Sequence, residues 1–188
     1  NSTGLPDSNH FSSAKDLATV TSLLIKNFPD IYYLHKEKSF TFNNIEQPNR
    51  NRLLWKDDSS DGVKTGWTES AGYCLISSAK RNDMRLIAVV AGAQTDKSRF
   101  NDTQRLLEYG FRYFSTQEVI KSNSALKEVT VWAGKDNLVS LGSENNVKLT
   151  LPRNTFKDIT ISYEFKNNIK APIKKGQTLG TLIIKDGE

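Results

Sequence analysis

The stretch Asp158-Ile-Thr-Ile-Ser-Tyr-Glu-Phe165 alternates apolar and polar residues without a break. A period of two admits a strand with one buried face and little else. Residues 129–131, 147–151 and 179–183 repeat the alternation. Turn chemistry at Gly134-Lys-Asp, Gly142-Ser and Lys175-Gly-Gln separates the runs. No helical period occurs after residue 120, so residues 119–188 are expected to form a small all-β domain.

Residues 1–118 read differently. Leu17, Val20 and Leu24 fall on one face of a helix over residues 13–27. Ser13 and Asp16 are spaced as a capping box, and Phe28-Pro29 stops the helix. A second short helix is expected at residues 32–34. Phe40 and Phe42 alternate with Ser39 and Thr41 in a half-buried strand over 38–42, followed by an Asn43-Asn44 turn and a polar loop at 47–52. Asp61-Gly62 reads as a turn before a strand at 63–68. Strands at 73–79 and 85–91, joined through Lys80-Arg-Asn-Asp83, complete an antiparallel meander. Residues 92–99 read as a loop, after which Asn101 or Asp102 caps a helix reaching about Phe114. The fold class is therefore α+β: an antiparallel sheet with flanking helices, followed by an all-β domain.

The chemistry centres on Lys64-Thr65-Gly66. A cation and a hydroxyl on a strand edge, with a glycine that lets another backbone approach, suit the binding of a carboxylate beside an extended peptide. The setting Asp61-Gly-Val-Lys-Thr-Gly-Trp-Thr-Glu-Ser-Ala-Gly72 resembles the third active-site motif of penicillin-binding proteins and serine β-lactamases. The resemblance is widest to the low-molecular-mass penicillin-binding proteins, the serine-type D-alanyl-D-alanine carboxypeptidases. It takes in Ser12-Ser-Ala-Lys-Asp-Leu-Ala18, Lys36-Glu-Lys-Ser-Phe-Thr-Phe42, Asn49-Arg-Asn-Arg-Leu-Leu-Trp55, Ala71-Gly-Tyr73 and Met84-Arg-Leu-Ile87, in order along nearly the whole chain.

That resemblance implies a β-lactamase/transpeptidase-like catalytic domain, of which residues 1–118 are the C-terminal portion, and the start of a β-rich domain at 119–188. It implies an enzyme that removes the terminal D-alanine of peptidoglycan stem peptides and is acylated by β-lactams. Lys64 becomes the electrostatic lysine, Thr65 the substrate hydroxyl, and Gly66 the residue that gives the strand room. Thr68 adds a second hydroxyl. Trp67 stands where many members have histidine, and suits strand-edge packing and a ligand contact equally. Arg99 occupies the place of an arginine that binds the substrate's terminal carboxylate, a task for which a planar guanidinium is suited; read without the family, it is a surface loop arginine paired with Asp96 or Asp102.

The nucleophile is missing. Ser12-Ser-Ala-Lys15 and Ser77-Ser-Ala-Lys80 have the Ser-x-x-Lys spacing, but neither stands in the family's order before a Ser-x-Asn and then Lys-Thr-Gly. Ser143-Glu-Asn145 lies on the wrong side of Lys64. The chain begins Asn1-Ser-Thr without an initiator Met and ends in the turn-like Lys185-Asp-Gly-Glu188, so both ends read as cut. The expected partners are thus the N-terminal portion of the same protein, the stem peptide, β-lactams, and a membrane surface reached through a C-terminal segment. The expected location is periplasmic and inner-membrane-associated. A non-catalytic peptidoglycan-binding or structural module and a β-lactamase relative stay open as alternatives.

Composition narrows the rest. The net charge of +5 is not gathered into a stripe; the densest run, Lys170 to Lys175, is interrupted by Ala-Pro-Ile, which argues against nucleic acid. One cysteine and two histidines offer no metal-ligand spacing, and no cofactor is expected. Cys74, between Tyr73 and Leu75-Ile76, reads as a small core residue, and His10 and His35 as structural or surface residues.

Overall fold

The computed structural model describes residues 1, 3–166 and 168–187, and it divides into two compact units, residues 1–112 and 113–188. Ser2 and Glu188, at the two ends read as cut, lie outside the described residues.

In the first unit, helix α1 (Ala14–Asn27) starts at Ser13, whose hydroxyl accepts from the Asp16 amide while the Asp16 carboxylate accepts from the Ser13 amide. Its packed face is narrower than expected: Thr21 is buried, Leu17 and Leu24 are half-buried, and Val20 stays 63% exposed. The chain then turns through α2 (Pro29–Tyr32) and a 3-10 turn, Tyr33–Lys36, in place of the single short helix expected at 32–34. Strand β1 (Ser39–Phe42) pairs with β2 (Ile45–Pro48), part of which was read as polar loop. Asn43 and Asn44 join them with positive φ, 49° and 60°, which asparagine tolerates. Phe40 and Phe42 are exposed rather than half-buried, because this hairpin pairs with no third strand among the described residues.

A single helical turn, α3 (Leu53–Lys56), buries Leu53 and Leu54. The meander follows as β3 (Ser60–Thr68), β4 (Gly72–Arg81) and β5 (Met84–Ala93), antiparallel in that order. Leu75, Ala79, Ala88 and Met84 form its apolar interior. Cys74 is half-buried on β4, not in the core. Helix α4 (Asp96–Tyr113) starts before the expected cap at Asn101. Thr95 makes the difference: its hydroxyl accepts from the Ser98 amide, and Ser98 Oγ accepts from the Thr95 amide, each at 3.0 Å. Arg81 clamps α4 to the sheet, reaching Glu108 at 2.7 Å and Asp57 at 3.0 Å with its guanidinium 4.3 Å from the Phe111 ring centroid.

The second unit is all-β apart from a 3-10 turn, Thr155–Asp158. Strand β6 (Phe114–Ile120) begins at Phe114, ahead of the expected boundary at residue 119. Its partner β9 (Val147–Pro152) lies in the second unit, which draws β6 into that unit. Strands β7 (Lys127–Thr130) and β8 (Leu138–Leu141) form one hairpin, and β10 (Ile159–Phe165) pairs with β11 (Gly180–Asp186). Val131, Ile169 and Leu179 make the core, flanked by Val129, Val139, Leu141, Ala171 and Ile173. Lys185 and Asp186 belong to β11, where a turn was expected.

Candidate active site

The motif strand β3 is held by polar side chains before it reaches Lys64. Asp61 and Gly62 form no turn; they sit within β3 at a register shift against β4. A bulge re-aims one side chain, and here the Asp61 carboxylate accepts from Tyr32 at 2.8 Å and from Arg85 at 2.9 and 2.7 Å. Burial, reinforced by that carboxylate, pushes the Tyr32 phenol well above its ordinary range, so it remains a neutral donor. The Gly62 carbonyl accepts from Asn51 Nδ2 at 2.8 Å and Ser77 Oγ at 3.1 Å, and the Val63 carbonyl lies 3.0 Å from His35 Nδ1.

This crowding assigns the steric need for glycine to Gly62. A Cβ there would lie 2.9 Å from Tyr32 Oη and 3.2 Å from His35 Cβ, whereas one at Gly66 would meet only Cys74 Cβ at 3.8 Å. Gly62→Ala is expected to cost about 1–3 kcal/mol of stability, read as a lower denaturant midpoint at unchanged slope. Gly66→Ala should stay within about 0.5 kcal/mol of the parent.

Along β3 the side chains alternate. Lys64 and Gly66 share an exposed face, while Val63 and Thr65 point the other way and are buried, Thr65 being 8% exposed. Lys64 Nζ donates to the Thr65 carbonyl. Trp67 is 59% exposed and leans on Tyr73 of β4, ring centroids 5.9 Å apart. The Thr68 hydroxyl serves the following turn, accepting from the Ala71 amide at 3.0 Å beside Ser70 Oγ at 3.3 Å. Lys64 and Thr65 are neighbours in sequence, yet the pleat separates them.

Arg99 belongs to this strand. It lies in the first turn of α4, not in a loop, and is only 5% exposed. Its Nη1 donates to the Gly66 carbonyl at 3.0 Å and to the Cys74 carbonyl at 3.3 Å. A register shift between Tyr73 and Leu75 leaves Cys74 out of the ladder with β5, and the guanidinium takes up the freed carbonyl. Nη2 pairs with Asp96, while Nε is buried without a hydrogen-bond partner. Asp102 pairs instead with Arg105, at 3.9 Å.

A cleft of about 610 Å3 opens beside this arginine, lined by Arg50, Arg52, Trp55, Tyr73, Asp96 and Arg99. Arg50, Arg52 and Trp55 lie in the Asn49–Trp55 segment, to which the sequence alone assigns no site role. Their charge was legible; their convergence with Asp96 depends on the fold of α3 against β3. Among the described residues, no group of three or more His, Cys, Asp or Glu side chains could hold a metal ion. No helix among the described residues is long and apolar enough to cross a membrane.

Comparison with known proteins agrees with this architecture. Residues 1–95 match the D-alanyl-D-alanine carboxypeptidase family, and residues 114–188 match the C-terminal domain of penicillin-binding protein 5. The chain is 46% identical over 181 residues to the D-alanyl-D-alanine carboxypeptidase DacC of Escherichia coli, covering 95% of this chain and 45% of that protein. Penicillin binding protein 5 from Haemophilus influenzae superposes with a TM-score of 0.84 at 39% identity, over 97% of this chain and 54% of that one. Penicillin-Binding Protein D2 from Listeria monocytogenes, in its cefotaxime-bound form, superposes at 0.53 and 36% identity, over 57% of this chain and 45% of that one. The chain spans about half the length of the relatives it matches.

Proposed function

Because the chain belongs to the D-alanyl-D-alanine carboxypeptidase family, we propose that it carries the motif strand and carboxylate-binding arginine of a serine-type enzyme that trims the terminal D-alanine from peptidoglycan stem peptides. The observation that carries this reading is the docking of Arg99 on the Gly66 carbonyl. One guanidinium ties the Lys-Thr-Gly strand to the start of α4, so the cation of Lys64 and the carboxylate site are fixed to the same backbone.

In this reading Lys64 lends positive field to the developing oxyanion and to the proton transfer at the serine. The backbone of Thr65 and Gly66, at the edge of the β3-β4-β5 sheet, borders the extended peptide, while the Thr65 side chain is buried on the opposite face. Trp67 flanks the peptide, and Thr68 shapes the end of the strand. Arg99 receives the substrate's terminal carboxylate. The serine, its lysine and the Ser-x-Asn motif come from a preceding segment of the same protein. β-Lactams acylate that serine in this reading, which the cefotaxime-bound form of the Listeria protein supports. A cell-wall substrate supports action in the periplasm, at the inner-membrane surface.

The test is labelling by a fluorescent penicillin, together with release of D-alanine from an N-acylated tripeptide ending in D-alanyl-D-alanine. Both are expected of the protein that contains this chain and its preceding segment. A protein that takes neither label nor substrate is a non-catalytic wall module, and one that turns penicillin over rapidly is a β-lactamase relative.

A further inference from the structure

The cleft beside Arg99 contains an anion of the protein's own. Asp96 pairs through Oδ1 with Arg99 Nη2, and through Oδ2 with Arg52 Nη2 at 3.1 Å. The three side chains differ sharply in exposure: Arg99 6%, Asp96 32% and Arg52 67%. All three line the same cleft.

We propose that Asp96 is a specificity-determining residue, an internal carboxylate that occupies Arg99 until a substrate carboxylate displaces it onto Arg52. The proposal rests on the carboxypeptidase reading above and assigns two residues to which that reading gives no role.

A buried guanidinium without a counter-charge is costly. The Gly66 and Cys74 carbonyls satisfy Nη1 but carry no net charge, so Asp96 supplies the anion. An arriving carboxylate then meets an arginine already neutralised, and two carboxylates on one guanidinium repel. Arg52 resolves the conflict. It already holds the second Asp96 oxygen, and its exposure lets it follow the carboxylate outward at little cost. The vacated Nη2 then presents its donors to the ligand. A neutral C-terminal amide has no charge with which to displace Asp96, so the exchange also selects for a free carboxyl terminus.

The two residues therefore act in opposite directions, which a merely structural role would not produce. KM and kcat are measured in the full-length enzyme for an N-acylated tripeptide ending in D-alanyl-D-alanine and for its C-terminal amide. Asp96→Asn keeps the shape at the start of α4 and removes the competing charge; KM for the free acid is expected to fall by about fivefold to tenfold, with little change for the amide. Arg52→Ala leaves Asp96 wholly on Arg99, and KM for the free acid is expected to rise by a similar factor. The double variant should behave as Asp96→Asn alone, since Arg52 has nothing left to receive. An active parent whose two single variants shift KM in the same direction, or not at all, or equally for acid and amide, overturns the proposal and leaves the carboxypeptidase reading standing. A parent that releases no D-alanine from the free acid overturns both.

Discussion

Lys64→Ala is expected to slow acylation by a labelled penicillin by about 10²–10³-fold, the loss typical when one preorganised charge or donor is removed from an acyl-transfer site. Lys64 is exposed on β3 and, among the described residues, engages only the Thr65 carbonyl, so its removal strands no buried partner. Folding of the variant should be unaltered by circular dichroism and denaturant midpoint. The rate loss is then a statement about the transition state and not about the fold. Undiminished labelling would remove Lys64 from the mechanism and with it the main chemical role of the motif.

Arg99→Ala should separate two activities. D-Alanine release requires capture of a peptide carboxylate, and its kcat/KM is expected to fall by about 10²-fold or more, the scale of a lost buried charge-assisted contact. Penicillin labelling should suffer less, because in the proposed mechanism acylation itself depends on the serine and Lys64. The variant also strips Asp96 and the Gly66 and Cys74 carbonyls of their shared partner, so a stability loss of about 3–5 kcal/mol accompanies it. Arg99→Lys serves as the control: it keeps a charge in place but cannot fork between two backbone oxygens and a ligand. Labelling should largely return in that variant while D-alanine release stays low. Equal losses in both assays, in a variant shown to be folded, would make Arg99 a structural tie between β3 and α4.

The glycines illustrate how far motif reasoning reaches. Gly66 is prominent in the sequence because it closes the triplet, yet its Cβ would make an ordinary contact within this unit. Gly62 carries the tighter constraint, and nothing local announces it. The atoms it must avoid belong to Tyr32 and His35, which come from helical turns nearly thirty residues earlier.

Periodicity and cap chemistry are written in neighbouring residues, and there the chain was readable. The capping box at Ser13 and Asp16, the three-stranded meander, the all-β character of the second unit and the motif strand itself all depend on residues a few positions apart. The start of α4 is also set locally, by Thr95 with Ser98 rather than by the helix-capping residue types Asn101 and Asp102 further along.

Burial and pairing are different, since they depend on what lies opposite. Phe40 and Phe42 alternate as a half-buried strand should, yet their hairpin finds no third strand among the described residues. Arg99 and Asp96 could be matched on paper as residues three apart, but the bulge that frees the Cys74 carbonyl, and the arrival of Arg52 on the second Asp96 oxygen, arise from long-range register. Strand and helix propensity are properties of a few adjacent residues, so the elements and the motif were legible in the chain. A charge's partner is chosen among groups that only folding brings within reach, and so the pairing of the Arg99 guanidinium was decided by the tertiary structure.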